Sequence, residues 1–426
     1  MSISVTFNSV HRILLASDFF MARRPVVDRN QNLVAHELLF CSDDRSRPAT
    51  GAAEEQPVSA SVIADVYQHG MTRVIGDLVG ILVIDPQAVM SDIFQFLPPD
   101  KVVLEIAEVH EVTPALLARL AELTQLGFHF ALVDSGNTPA MASLLPYVDG
   151  VRIDIAGRDA GTLANLCAMY APQGKRLLAE KVETAAQFAT CLDLGFDYFQ
   201  GYYFTRPAFK EGRKLAPSQL AITRLMALIA SDADTSEIEE HIKGNVFLGL
   251  NLLRLVNTPA ISAHRIDSLR QALMALGRNQ LQRWLQVMLY ADNDGQGSVM
   301  QPLLALATTR GRLMELVAQK LKPGNRGIAD TAFTVGIMSL MDTLFGMPME
   351  QILEQVPVVD DVSDALLHRA GYFGRLLDLV EYTEWRSKTD MQLLQAIHDL
   401  RLSHNDLYLL QLAAFEWSDH VTRSVR

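Results

Sequence analysis

Residues 128–155 of the chain read FHFALVDSGNTPAMASLLPYVDGVRIDI. Two β-type apolar runs, at residues 128–133 and 150–155, stand on either side of a helical stretch, and each carries an acid at or near its end, Asp134 or Asp154. A distance of ~20 to 30 residues from one run to the next is typical of a βα unit. The stretch therefore predicts strands that alternate with helices.

The same alternation of β-type runs and helical stretches continues through the first half of the chain and ends near residue 210. Further β-type runs stand at residues 20–27, 81–85, 102–106, 176–182 and 198–204. Beyond residue 210 apolar residues recur near i, i+3, i+4 and i+7, the pattern of amphipathic helices, at residues 218–230, 236–256, 266–290 and 302–321. We therefore predict an α/β domain and an all-α domain, at residues 1–209 and 210–426, with a basic linker at 206–213.

Composition and charge limit the class of protein. The chain has 426 residues, of which 49% are hydrophobic and 20% charged, so at ~150 residues per domain it holds two or three domains with large cores. The formal net charge is −12, and residues 1–209 contribute −9 of it, with 15 Lys and Arg against 24 Asp and Glu. Such an acidic chain is ill suited to wrap nucleic acid or to coat an anionic membrane.

The cysteines and the apolar runs indicate the compartment. Cys41, Cys167 and Cys191 form no C-x-x-C pair, which argues against a disulfide framework or a zinc cluster and favours the cytoplasm. Residues 1–20 lack the basic start and the long apolar run of a signal peptide. No run reaches the ~18 uncharged apolar residues of a membrane helix. We expect a cytoplasmic protein with neither nucleic acid nor membrane as a partner.

Five acids stand within or at the ends of β-type runs. In a barrel of parallel strands the C-terminal strand ends meet at one mouth. Carboxylate oxygens collected there suit Mg²⁺, Mn²⁺ or Ca²⁺, ions that can activate water and neutralise a phosphate ester. The alternative is that each acid caps a helix or pairs with a neighbouring base. The five acids are Asp85, Glu105, Asp134, Asp154 and Glu180.

Ordered motifs across residues 20–207 resemble the EAL domain, the cyclic di-GMP phosphodiesterase barrel. The opening strand reads Arg24-Pro25-Val26-Val27-Asp28, and the motif that names the family reads His36-Glu37-Leu38-Leu39. The later matches are Leu104-Glu105-Ile106, Val133-Asp134-Ser135-Gly136, Arg152-Ile153-Asp154, Ala179-Glu180-Lys181-Val182-Glu183 and Gln200-Gly201-Tyr202 with Pro207. The resemblance implies a TIM-like (β/α)8 barrel.

The resemblance also implies a set of site residues. Carried over to this chain, the ligands of Mg²⁺ or Mn²⁺ are Glu37, Asp85, Glu105, Asp134 and Asp154. The catalytic positions are those of Glu180, Glu183 and Arg152. The positions that hold the dinucleotide are those of Arg24, Gln200 and Pro207.

Several of these positions depart from active members of the family. The first of two paired aspartates is Val133, which cannot ligate a metal, and the lysine near the attacking water is Arg152, which keeps the charge but cannot release a proton. A glycine becomes Lys181, and an arginine that helps to hold the dinucleotide becomes Cys41. A pair of metals ~3.5–4 Å apart is therefore not expected. Two alternatives stay open: a single Mg²⁺ or Mn²⁺, or no metal, with bases of the chain as partners of the acids.

From Leu215 onward the chain resembles the HDOD domain, an all-helical relative of the HD-type phosphohydrolases. The resemblance rests on residues 242–245 (IKGN), 252–258 (LLRLVNT) and 266–277 (IDSLRQALMALG). An HD hydrolase needs an adjacent His-Asp pair for its metal, whereas the corresponding helix of this chain holds Asp342 alone. We therefore expect no metal site in the helical half.

The leading hypothesis is a non-catalytic bacterial signalling protein. Both halves resemble hydrolases, and both lack residues that hydrolysis needs, so we expect the chain to act through protein partners. Two rivals stay open: a weak metal-dependent cyclic di-GMP phosphodiesterase that uses Asp85 as a ligand, and a receptor that binds cyclic di-GMP without cleaving it. EAL barrels often pair, so a homodimer is possible, although the loop after Asp134 is short.

Overall fold

The computed structural model consists of a closed β-barrel and a packed set of helices. It describes residues 19–42, 71–92, 94, 97–107, 109, 111–134, 136, 138–205, 217–257, 266, 268–291, 301–356, 358–384 and 390–425. Pro207 and the predicted linker lie outside these ranges. Of Cys41 only the position in its strand is described.

Eight strands close the barrel in chain order. They are β1 (Phe19–Asp28), β2 (Leu33–Ser42), β3 (Val79–Ile84), β4 (Val102–Ile106), β5 (His129–Val133), β6 (Gly150–Asp154), β7 (Arg176–Glu180) and β8 (Tyr198–Phe199). Neighbouring strands from β2 to β8 are parallel, whereas β1 is antiparallel to both β2 and β8. The predicted barrel is confirmed, with one reversed strand.

The reversed strand results from a hairpin between β1 and β2. Asp28 Oδ1 accepts hydrogen bonds from the amides of Asn30 and Asn32 in the turn, and Gln31 adopts φ 63°. A connection of this length joins only antiparallel strands, because a parallel pair needs a crossover of about a dozen residues or more. The predicted strands do not include β2, because its residues were interpreted only as a family motif.

Helices follow most of the parallel strands. They are α1 (Met71–Ile75), α2 (Pro114–Gln125), α3 (Pro139–Leu144), α4 (Ala160–Tyr170) and α5 (Ala185–Asp193). The last four begin at a side chain that accepts a hydrogen bond from a first-turn amide, which stabilises a helix by about 1 kcal/mol. These caps are Thr113, Thr138, Asp159 and Thr184.

The interior of the barrel has an apolar layer and a polar layer. Val26, Ala35, Ile81 and Leu178 form the apolar layer. Side chains on one face of a strand recur every second residue. The residues two positions nearer to the mouth are therefore also interior. On β1, β2 and β7 these residues are charged: Arg24, Glu37 and Glu180. The fold thus places a layer of charged groups next to the apolar layer, on the side of the barrel mouth.

The second half of the chain is helical, as predicted. Its helices are α6 (Pro217–Ala230), α7 (Thr235–Lys243), α8 (Val246–Val256), α9 (Leu269–Ala291), α10 (Gln301–Leu321), α11 (Arg326–Met338), α12 (Met341–Phe345), α13 (Met349–Gln355), α14 (Asp360–His368), α15 (Gly371–Glu384), α16 (Asp390–Asp399) and α17 (His404–Val425). The predicted helix at 236–256 is two helices, because Asn245 caps α8. Gly277 breaks α9 with φ 74°.

One helical stretch among the described residues is long and apolar enough to cross a membrane, judged by length and composition alone. It is Arg326–Phe345, which comprises α11 and α12, and 72% of its apolar window is buried against the rest of the protein. Phe333 and Met338 from this stretch belong to the continuous apolar core of the helical half.

The last helix joins the two halves. Tyr408, Leu412 and Phe415 of α17 pack into the apolar cluster that surrounds the barrel. Arg23, on the outer face of β1, donates to both carboxylate oxygens of Asp419 at 3.1 Å and lies 4.1 Å over the ring of Phe415. Gly76 after α1 lies so close that an added Cβ would be 2.6 Å from Asp419 Oδ2. The C-terminal helix therefore supplies part of the outer wall of the barrel.

Candidate functional site

Arg152 lies at the centre of the polar layer inside the barrel. β6 carries the residue, and its side chain is 1% exposed. Its Nε donates to Glu105 Oε2 at 2.8 Å, and its Nη1 donates to Glu37 Oε1 at 2.7 Å. One guanidinium thus binds carboxylates from β2 and β4 through charge-assisted hydrogen bonds, which are about twice as strong as neutral ones.

Gln200 and Arg24 complete the surroundings of Glu37. Gln200 Nε2 donates to Glu37 Oε2 at 2.9 Å, while its Oε1 accepts from Arg152 Nη1 at 3.4 Å. Arg24 Nη1 lies 3.5 Å from Glu37 Oε2. Glu180 is more distant, with Oε1 3.8 Å from Arg152 Nη1. Six of the eleven site residues selected from the sequence therefore lie together: Arg24, Glu37, Glu105, Arg152, Glu180 and Gln200.

Gly201 holds Gln200 in place. Gly201 adopts φ 155°, and an added Cβ would lie 2.2 Å from the carbonyl oxygen of Val182. The amide of Val182 donates to the carbonyl of Gln200 at 3.0 Å. Only glycine permits this close approach of two backbone segments, so the Gln-Gly pair ends β8 and aims the amide side chain at Glu37.

The two carboxylates bound to Arg152 have opposite pKa shifts. Burial alone would raise the pKa of Glu37, but the charges of Arg152 and Arg24 and the hydrogen bonds from Arg152 and Gln200 outweigh it, so the pKa lies below its usual value. Burial raises the pKa of Glu105 to about 7, because Arg152 offsets it only in part and Glu37 and Glu180 repel a second charge. Glu105 Oε1 has no hydrogen-bond partner among the described residues. Glu105 is therefore the group that takes a proton near neutral pH.

Asp134 belongs to a separate cluster at the end of β5. It accepts hydrogen bonds from Arg158 Nη1 at 2.8 Å and from the Tyr170 hydroxyl at 2.6 Å. Burial raises the pKa of Tyr170 above its usual value, so the hydroxyl stays a donor. Sequence reasoning did not select Arg158 or Tyr170, since neither lies in a family motif. The one sign of this cluster in the sequence is a base, Arg158, that stands four residues after Asp154.

Asp154 pairs with Lys181 at the mouth of the barrel. Lys181 Nζ donates to Asp154 Oδ2 at 2.5 Å, and the amide of Ala156 donates to Oδ1 at 2.9 Å. Lys181 adopts φ 63°, in the left-handed region that favours glycine. This is the position at which active members of the family have glycine. The substitution therefore places a cation on Asp154 at the expense of backbone strain.

Two of the predicted site residues lie apart from the interior cluster. Asp85 is exposed after β3, where its Oδ1 accepts from the amide of Gln87 at 2.6 Å. Glu183 is exposed in the turn before α5, and its amide donates to Gln187 Oε1 at 2.8 Å. In this arrangement Asp85 stabilises a local turn, which is the alternative that sequence reasoning left open.

The arrangement of these residues does not fit a divalent cation. The interior acids Glu37 and Glu105 are bound to Arg152, Asp134 is bound to Arg158, and Asp154 is bound to Lys181. Val133 supplies no ligand atom at the paired position. In the described part of the chain, no three side chains of His, Cys, Asp or Glu are grouped as metal ligands. In the part of the chain that the structure describes, each of these four carboxylates is bound to a base.

The helical half has a buried arginine of its own, which sequence reasoning did not select. Arg310 on α10 donates from Nε and Nη2 to the two oxygens of Glu384, at 2.9 and 2.5 Å. Its Nη1 donates to Glu381 Oε1 at 3.0 Å and to Ser339 Oγ at 2.7 Å. Asp342, the residue considered for an HD-type site, accepts from the amide of Thr343 at 2.6 Å and stabilises the first turn of α12.

Comparison with known proteins identifies both halves. Residues 85–207 match the model of the EAL domain, and residues 215–354 match the model of the HDOD domain. The EAL match begins after β3, so Glu37 lies outside it. A solved EAL domain protein from Listeria monocytogenes is 20% identical and covers 48% of this chain and 94% of its own, with a TM-score of 0.36.

Two relatives align over nearly the whole length. The cyclic di-GMP phosphodiesterase CdgJ of Vibrio cholerae is 29% identical over 413 residues, which is 95% of this chain and 94% of CdgJ. The protein YuxH of Bacillus subtilis is 26% identical over 409 residues, 93% of this chain and 97% of YuxH. The chain therefore contains an EAL domain followed by an HDOD domain.

Proposed function

We propose that this chain is a cytoplasmic bacterial signalling protein whose EAL barrel does not hydrolyse cyclic di-GMP and whose two domains act through contacts with protein partners. One observation carries the proposal. The Arg152 guanidinium binds Glu37 and Glu105 together, at 2.7 and 2.8 Å, where the family resemblance implies a metal ion.

The energetics of the cluster support this proposal. A metal ion would have to displace a buried guanidinium that already compensates two buried carboxylates, and breaking such a pair by removing one partner costs about 3–5 kcal/mol. Arginine keeps its proton at all physiological pH values, so Arg152 cannot exchange protons with water during hydrolysis. Asp85 is exposed and already accepts a hydrogen bond in its turn, so it does not replace the ligand missing at Val133.

The second candidate function is weak phosphodiesterase activity. The likeness to CdgJ over 95% of the chain favours it, because that protein is named a cyclic di-GMP phosphodiesterase. In this reading Glu37 and Glu105 would hold Mg²⁺ or Mn²⁺ in place of Arg152, and the ion would activate water. The two functions differ in one measurable property, the formation of linear dinucleotide.

A turnover assay separates the two functions. The full chain is incubated with cyclic di-GMP and either Mg²⁺ or Mn²⁺, and the linear product is quantified by chromatography. The proposal predicts no product above that of Glu37→Ala. Product formation that Glu37→Ala abolishes would establish the phosphodiesterase and overturn the proposal.

A binding experiment tests whether the barrel is a receptor. Calorimetry measures the heat of cyclic di-GMP addition with and without divalent cation, and the melting temperature is measured at high ligand concentration. Neither heat nor a shift in melting temperature is expected, because the buried acids repel a dianion and Cys41 replaces an arginine of the family. Saturable heat without turnover would show a cyclic di-GMP receptor instead.

A further inference from the structure

The helical domain contains a basic groove that the proposed function does not use. It lies between the C-terminal end of α10, the start of α15 and the turn after α16, and its volume is about 420 Å³. This volume is within the range of about 300–1,000 Å³ found for small-molecule sites. The polar residues that line it are Lys320, Lys322, Tyr372, Arg375, Asp399 and Arg401.

The cations of the groove are only partly neutralised. Lys320 Nζ lies 2.8 Å from Asp406 Oδ1, so its charge is compensated. Lys322 Nζ lies 4.3 Å over the ring of Tyr372. Arg375 and Arg401 form no ion pair with any residue in the described part of the chain. In a protein of net charge −12, this local excess of positive charge attracts anions.

The Tyr372 hydroxyl lacks an acceptor. Its oxygen is buried and has no hydrogen-bond partner among the described residues. Burial raises the pKa of Tyr372 above its usual value, although the charge of Arg375 opposes the shift, so the hydroxyl is protonated at neutral pH. A buried donor without an acceptor costs about 1–3 kcal/mol. An anion that displaces the side chains covering this oxygen would supply the acceptor.

Arg401 stands where a helix end favours glycine. Its amide donates to the carbonyl of His398, and the amide of Leu402 donates to the carbonyl of Ile397. These two bonds define a Schellman motif after α16, with Arg401 at the left-handed position and φ 54°. Glycine is the usual residue there because it has no Cβ penalty. A non-glycine residue in this conformation costs about 1–3 kcal/mol, and such residues are enriched at functional sites.

We propose that this groove binds a phosphate dianion, either free phosphate or the monoester of a molecule about the size of a mononucleotide. The guanidinium groups of Arg375 and Arg401 match phosphate oxygens in pairs, and the Tyr372 hydroxyl donates to a third oxygen. A water molecule could accept from Tyr372 but would not explain two unpaired arginines, one of them in a strained position.

Calorimetry on the full chain tests the site with three ligands at constant ionic strength: inorganic phosphate, GMP and guanosine. Phosphate and GMP are expected to bind saturably at one site, and guanosine is not. Tighter binding of GMP than of phosphate would indicate a monoester as the ligand, and equal binding would indicate free phosphate. Both results support a phosphate site.

Variants of the groove locate the binding. Arg375→Gln and Arg401→Gly are each expected to weaken phosphate and GMP binding about tenfold or more, because each removes charge-assisted hydrogen bonds. The double variant Arg224→Gln/Arg270→Gln, which removes exposed cations of α6 and α9 outside the groove, is the matched control and should bind as the wild type does.

Arg401→Gly separates binding from folding. It should raise the melting temperature by about 2–4 °C, because relief of left-handed strain stabilises a domain of this size by about 1 kcal/mol, while it weakens binding. The proposal is overturned if neither phosphate nor GMP gives saturable heat at millimolar concentration, if guanosine binds as GMP does, or if both groove variants bind as tightly as the control.

Discussion

Two buried arginines, one in each domain, have the same exposure, but the acids that they bind differ in burial. Arg310 in the HDOD domain is 1% exposed and binds Glu384 in a bidentate pair, Glu381 and Ser339. Burial alone would lower the pKa of Arg310, but Glu384 and Glu381 raise it above its usual value. Arg152 in the barrel is also 1% exposed, and it lies among three acids, Glu37, Glu105 and Glu180. One of their oxygens, Glu105 Oε1, has no hydrogen-bond partner among the described residues.

This difference distinguishes the structural ion pairs around Arg310 from the altered site around Arg152. Around Arg310 the two acids are each 11–20% exposed, and Arg369 binds Glu381 and Asp378, so solvent and a second base also stabilise the carboxylates. Around Arg152 three acids, Glu37, Glu105 and Glu180, share a guanidinium that carries a single charge, and Glu37 and Glu105 are almost fully buried. Arg24 supplies a further charge to Glu37. Burial therefore raises the pKa of Glu105, and the charges of Glu37 and Glu180 add to the shift.

Replacing Arg310 should have the largest effect. Arg310→Met leaves Glu384 and Glu381 without their main partner, and we expect the free energy of unfolding to fall by about 3–5 kcal/mol. Urea denaturation of the full chain measures the loss. Arg326→Met, at the exposed start of α11, is the control and should change stability by less than about 0.5 kcal/mol. Equal effects of the two variants would contradict a structural role for Arg310.

Replacing Arg152 should have a smaller effect that depends on pH. Arg152→Met leaves Glu37 with Arg24 and Gln200, and Glu105 can take a proton, so we expect a loss of about 3 kcal/mol at pH 8. The loss should shrink at pH 6, because Glu105 is largely protonated there in the wild type and gains less from Arg152. The same denaturation series at both pH values measures it. An equal loss at pH 6 and pH 8 would mean that the charge of Glu105 does not change between them, which would contradict a pKa of about 7.

Glu105→Gln should stabilise the protein at alkaline pH. Because the folded pKa of Glu105 is raised from 4.5 to about 7, the folded state binds more protons than the unfolded state between these values. The contribution of Glu105 to stability is therefore present at acid pH and is lost as pH rises through about 7. Glutamine cannot ionise, so we expect a gain of about 1–3 kcal/mol at pH 8 and little change at pH 5. A variant less stable than the wild type at pH 8 would refute the raised pKa.

Lys181→Gly should give the smallest effect. Glycine removes left-handed strain of about 1 kcal/mol, and the exposed pair with Asp154 that is lost contributes little. The melting temperature should therefore rise by about 1–3 °C. Lys181→Ala, which loses the pair but keeps the strain, should not be stabilised. A fall in the melting temperature of the glycine variant would show that the pair with Asp154 outweighs the strain.

The sequence predicted the barrel better than it predicted the site. The strands β4 to β7 and the long helices follow from apolar periodicity, because it is a local property. Apolar periodicity did not predict the strand β2, because His36 and Glu37 are polar residues at its centre. Their burial depends on partners from distant elements. His36 lies in the contact with the helical domain and Glu37 lies in the barrel interior.

The site residues show the same limit. The position of acids at strand ends predicted that Glu105 and Glu180 would share one space, and the family resemblance added Glu37 to them. The pairing of each acid with a base could not be predicted, because it depends on side-chain reach across strands. Arg152 reaches Glu37 from 115 positions away in the chain. Tyr170 reaches Asp134 from the end of α4, and no local pattern marks it.

Manganese binding tests the central claim most directly. Electron paramagnetic resonance counts free Mn²⁺ as it is titrated into the full chain and into Glu37→Gln. If Arg152 holds the place of the metal, neither protein should bind Mn²⁺ saturably below about 1 mM, and the two titrations should coincide. One or more ions bound tightly by the wild type and lost in Glu37→Gln would show that Arg152 yields to a metal, and the account would be wrong.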